Sequence, residues 1–72
     1  MMGVIDMDAR TFRAALTSLD MRQVELADLF EVADRTVRHY AEEGVTNMPT
    51  IILIRLLVRG KITRQDIEEV KG

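Results

Sequence analysis

The sequence predicts an all-α domain, a compact five-helix bundle. Three observations carry this. Apolar residues recur at three- and four-residue spacing in separate stretches of the 72-residue chain. Residues suited to capping helix starts, Asp8, Asp20, Asp34 and Thr63, stand at the heads of four stretches. Gly44, Pro49 and Gly60 punctuate the gaps between stretches.

The first helix is expected over residues 8–18. Asp8 caps it, and Phe12, Ala15, Leu16 and Leu19 form its inner stripe. Asp20 is expected to cap a second helix over 21–30, with Val24, Leu26, Ala27, Leu29 and Phe30 as a broad apolar face. Ala27 is small enough to let a crossing helix approach closely. Glu31, Val32 and Ala33 then form a turn, with Val32 pointing inward as its pin. Asp34 is expected to cap a third helix over 35–43. There Val37, Tyr40 and Ala41 face the core, and Arg35, Arg38, His39 and Glu42 face out. Gly44 is a natural stop.

Residues 45–48 read as a loop, and Pro49 suits the first turn of a fourth helix running to Val58 or Arg59. That helix is apolar nearly all round, so it is either central to the core or lends one side to a partner chain. Gly60 ends it. Thr63 and Asp66 have capping-box spacing for a fifth helix, with Ile62 as a staple before the cap. Ile67 and Val70 share one side of that helix, and Glu68, Glu69 and Lys71 lie outside.

The length allows one domain, 1–72, with residues 1–7 expected as a loose start holding three of the five methionines. There is no cysteine, which excludes disulfides and cysteine zinc sites and fits a reducing cytoplasm. The opening MMGVIDMDAR has two acids and no basic lead, unlike a secretory signal. The longest apolar run is eight residues, Ile51 to Val58, interrupted by Arg55, whereas a membrane span needs about 20. A soluble cytoplasmic protein with no membrane partner is expected. His39 has no serine or cysteine nucleophile beside it in its helix, and Asp66, Glu68 and Glu69 read as a solvated face. No enzyme activity, cofactor, metal or small-molecule ligand is expected.

Residues 19–44 carry the functional signal. Two short helices joined by a tight turn, the second projecting arginines, form a helix-turn-helix, a device for placing a helix in the major groove of double-stranded DNA. Arg35 and Arg38 lie on one face, and arginine's donor fork matches guanine O6 and N7. The competing assignment pairs them with Asp34, Glu31 or Glu42. Arg22 and Gln23 head the preceding helix, where free N–H groups attract phosphate.

Gln23, Glu25, Leu26, Ala27, Val32, Thr36, Val37 and Tyr40 stand at the offsets of the Q-x-E-L-A-x-x-x-G-V-S-x-x-T-V-x-x-W pattern. The chain thus resembles the λ-repressor-like (Cro or Xre-type) helix-turn-helix family over about residues 9 to 70. The stretch PTIILIRLLVRGKIT is similar to the fourth-helix segment of its small members. The resemblance implies a five-helix DNA-binding domain that regulates transcription as a dimer. It implies that Asp34, Arg35, Arg38 and His39 face the groove. It also implies that Gln23 contacts a phosphate or steadies a reading side chain, Thr36 lies near the backbone, and Asn47 reaches a phosphate. The chain departs from the pattern at Glu31 (usually glycine), Ala33 (usually serine) and Tyr40 (usually tryptophan). Glu31 is therefore expected to carry a positive φ.

Charge opposes generic nucleic-acid binding. The net charge is -2, and from Asp20 to Gly44 three arginines face seven acids. Binding is accordingly expected to be modest, salt-sensitive and dependent on a homodimer formed through the fourth and fifth helices. The alternative is a protein-interaction adaptor, antitoxin-like or from phage assembly, that keeps the shape without reading DNA.

Overall fold

The computed structural model describes residues 7–72. These form five α-helices: α1 (Ala9–Ser18), α2 (Gln23–Phe30), α3 (Asp34–Glu43), α4 (Met48–Val58) and α5 (Arg64–Lys71). There is no strand among the described residues, only an isolated antiparallel bridge between Met7 and Val45.

Helix α1 begins where the Asp8 carboxylate accepts the Thr11 N–H at 2.8 Å. That bond, with Arg10 and Arg13 nearby, holds the Asp8 carboxyl below its ordinary value. Past its cap residue Leu19, Asp20 is left-handed at φ 55. Asp20 N–H donates to Thr17 O, and Met21 N–H to Leu16 O, so two terminal carbonyls are satisfied and Met21 is drawn into the core. This corrects the expected role of Asp20. An N-cap needs extended backbone, and Asp20 instead closes the helix before it.

Helix α4 starts at Asn47, whose Oδ1 accepts both the N–H and the hydroxyl of Thr50, at 3.1 and 3.0 Å. Pro49 occupies the first turn, where a missing N–H costs nothing. Ile51, Ile54 and Leu57 are buried, while Ile52 and Val58 are exposed. Gly60, at φ 73, turns the chain out of α4. Thr63 and Asp66 then exchange two hydrogen bonds, at 3.1 and 2.8 Å, to start α5. Ile62 and Ile67 pack against the core, as expected. Val70 does not: it is 88% exposed, so the inner face of α5 rests on Ile67.

Phe12, Leu26, Val37, Val45, Ile51 and Ile54 are the largest fully buried side chains. Phe12 meets Tyr40 edge to face, with ring centres 5.7 Å apart. Among the described residues no polar or charged side chain is buried, and no helix is long and apolar enough to cross a membrane.

Met7 overturns part of the expected loose start. It is buried, donates its N–H to Val45 O and accepts the Val45 N–H. Residues 1–6, the rest of that expected start, lie outside the described residues. The bridge requires Gly44. Its φ is 98, and a Cβ there would lie 2.8 Å from Met7 O. Gly44→Ala should therefore destabilise the fold by about 1–3 kcal/mol, read as a lower urea midpoint.

Candidate nucleic-acid interface

Helices α2 and α3 are joined by the three residues expected from the sequence. Glu31 is left-handed, at φ 55 and ψ 47, as its place in the turn required. Its N–H donates to Asp28 O at 3.2 Å, and Val32 N–H donates to Ala27 O at 3.0 Å. Ala27 is buried, which lets the crossing helices come close. Two expectations fail locally. Val32 does not pin the turn from inside; it is 36% exposed and rims a groove with Leu29 and Phe30. Its backbone is tied to the flank of α2, which leaves its side chain at the edge. Asp34 does not cap α3 either. Ala33 supplies the extended backbone of the cap, and Asp34 is the first helical residue. Its charge still sits at the positive helix end, where acids are favoured.

Two cations that the sequence did not mark hold this unit from behind. The last carbonyls of a helix have no N–H partner within it. Lys71 Nζ donates to Leu29 O at 2.7 Å and Asp28 O at 3.3 Å, closing the end of α2. It also meets Glu68 at 3.1 Å and Glu31 at 3.5 Å. Desolvation lowers its pKa, but these two carboxylates outweigh it and hold Lys71 above its ordinary value. The Arg13 guanidinium, on α1, donates to Ala41 O near the end of α3. A lysine in a last turn was the one visible hint, and nothing in the sequence named its distant partner.

On α3, Val37 and Ala41 are buried and Tyr40 is half-buried. Asp34, Arg35, Arg38 and His39 are all exposed, with Glu42 beside them. Among the described residues, no ion pair involves Arg35, Arg38 or His39. The competing pairing of the arginines with Glu31, Asp34 or Glu42 is not formed. Thr36 is half-buried on the same helix.

The remaining candidates sit on other elements. Arg22, not Asp20, is the cap residue of α2, and Gln23 is its first helical residue. Arg22 has no acceptor to offer, so only the reciprocal bond exists: its N–H donates to Glu25 Oε1 at 2.7 Å. Glu25 also pairs with the Arg22 side chain at 3.7 Å and with Arg64 at 3.9 Å. The Arg22 N–H lowers the Glu25 pKa most, helped by both guanidinium charges. The N–H groups of Gln23 and Val24 have no acceptor among the described residues, so the positive end of α2 stays open beside Glu25. Asn47 has its oxygen committed to Thr50 and keeps only its amide nitrogen for an outside partner. Among the described residues no cluster of His, Asp or Glu is arranged to hold a metal.

No protein-family model, curated protein or solved structure matches this chain.

Two outcomes test the local physics. Replacing Glu31 by glycine relieves a left-handed residue of its Cβ, while Lys71 keeps Glu68. Glu31→Gly should raise stability by about 1 kcal/mol in urea unfolding. The pKa values of Glu25 and Asp8 are lowered on folding from 4.5 and 3.8. Their contribution is full above those values and is lost as pH falls through the lowered ones. The double variant E25Q/D8N should therefore show a flatter loss of stability with acid than the parent.

Proposed function

We propose that this chain is a helix-turn-helix DNA-binding domain of the λ-repressor-like kind, a regulator of transcription that places α3 in the major groove. The observation that carries this reading is the outer face of α3. Its arginines are exposed and, among the described residues, free of ion pairs, while Val37 and Ala41 hold the same helix from the inside. Asp34 and Glu42 are exposed on the same helix, yet among the described residues neither is drawn into an ion pair with Arg35 or Arg38, so both guanidinium groups keep their donors for an outside partner.

In this reading Arg35 and Arg38 read bases, with Asp34 and His39 beside them. Arg22, Gln23, Thr36 and Asn47 hold the backbone. The unpaired N–H groups at the start of α2 suit a phosphate, and Glu25 limits how strongly. A homodimer would present two copies of α3 to half-sites about 34 Å apart. The exposed Ile52 on α4 and Val70 on α5 are apolar surface that such an interface would cover.

A second reading has its own observation. Glu42 is exposed on the same outward side as the arginines, within a segment where acids outnumber bases. This favours an adaptor that keeps the shape and binds protein.

Binding to mixed-sequence duplex DNA at about 50 mM and 200 mM salt separates the two. A groove binder weakens several-fold or more across that range. Arg35→Ala and Arg38→Ala should each cost about 1–3 kcal/mol if they read bases. Absence of binding even at the lower salt would carry the adaptor reading instead.

A further inference from the structure

Helices α1 and α4 leave an open groove of about 360 Å³ between them. Ile54 and Val58 give it an apolar floor, Ala14 and Ser18 form a low wall on α1, and Arg55 and Arg59 stand on the α4 side. No residue of α2 or α3 lines it, so this site does not depend on how α3 is used.

Its electrostatics are one-sided. Among the described residues no carboxylate lines the groove. Arg55 and Arg59 are four residues apart, where like charges repel, and neither takes part in an ion pair among the described residues. From Gly44 to Gln65 the sequence holds no acid, in a chain whose net charge is -2; of its four cations Arg64 is drawn to Glu25, while Arg55 and Arg59 line the groove. Both arginines lie near the carbonyl end of α4, which favours them. That explains their tolerance there but supplies no counter-ion.

The walls decide the shape of a ligand. Both are helices whose backbone bonds are made internally, so they offer no edge to a strand. An incoming helix brings its own hydrogen bonds and needs only an apolar stripe for the floor. Ala14 and Ser18 are small enough to let it approach. An apolar floor gives nothing to a phosphate backbone, which argues for a protein ligand.

We propose that the α1–α4 groove docks an amphipathic helix of a partner protein, with glutamate or aspartate flanking its apolar stripe so as to meet Arg55 and Arg59.

The test uses the full chain and a pair of synthetic peptides, each about 14 residues or roughly 20 Å as a helix. Both carry leucine at i, i+3, i+4 and i+7. One has glutamate at the flanking positions and the other lysine. The glutamate peptide should shift the amide signals of Ala14, Ser18, Ile54 and Val58 in NMR titration. It should bind at least about ten-fold more tightly than the lysine peptide. R55E/R59E should reverse that order, and R55Q/R59Q, a variant that introduces no new charge, should erase it. Circular dichroism confirms that each variant is folded. Equal binding of the two peptides, or shifts confined to other faces, overturns the proposal. So does self-association in sedimentation that R55E/R59E abolishes, since that assigns the groove to a second copy. Displacement of the glutamate peptide by a synthetic copy of residues 1–6 would assign it to that segment and overturn the proposal as well.

Discussion

The burial of Val37 sets the orientation of everything that faces outward on α3. An α-helix advances about 100° per residue. Once Val37 and Ala41 are inside, Arg35, His39 and Glu42 fall on the far side and Arg38 on the flank, all exposed. The edge-to-face contact of Phe12 with Tyr40 fixes the same helix against α1. Turning α3 by a single residue would carry an arginine toward an interior that holds no polar side chain among the described residues, and an unpaired charge there is costly. The display face is thus a product of the core.

Charge is used in two different ways across the molecule. Arg13 and Lys71 act as structural closures, each ending a helix that it does not belong to. Arg22 and Arg64 are drawn to Glu25 at the start of α2. These cations are engaged within the chain. Among the described residues Arg35, Arg38, Arg55 and Arg59 have no such partner, and they lie on two separate surfaces, the outside of α3 and the rim of the α1–α4 groove. In a chain that is acidic overall, this division sets the local potential of those two surfaces more than the net charge does.

Local signals made the helices legible from sequence. Asp8, Pro49 and the Thr63–Asp66 pair each act within one turn, and Gly44 and Gly60 each end a helix in backbone that glycine adopts easily. The outward face of α3 followed from periodicity alone. What was misread depended on backbone conformation or on distance. Asp20 has a capping side chain, but its left-handed backbone makes it a helix end. Ala33 took the cap position from Asp34 because the turn set its extended backbone. Met7 looked like part of a loose leader, yet its partner Val45 lies 38 positions away and no pattern connects them. The groove between α1 and α4 was equally hidden, since its walls come from opposite halves of the chain.

The tethers at the two ends of the described chain have a mechanical meaning. Met7 is stitched to Val45, just past the last turn of α3, and Lys71 grips the carbonyls just before the turn that leads into α3. Both tethers thus flank α3, one just past its last turn and one at the end of the helix before it, so a change at Met7 or Lys71 is felt next to that helix. The exposed corner at Gly60 and Lys61 is the quieter place to attach a fluorophore or affinity handle.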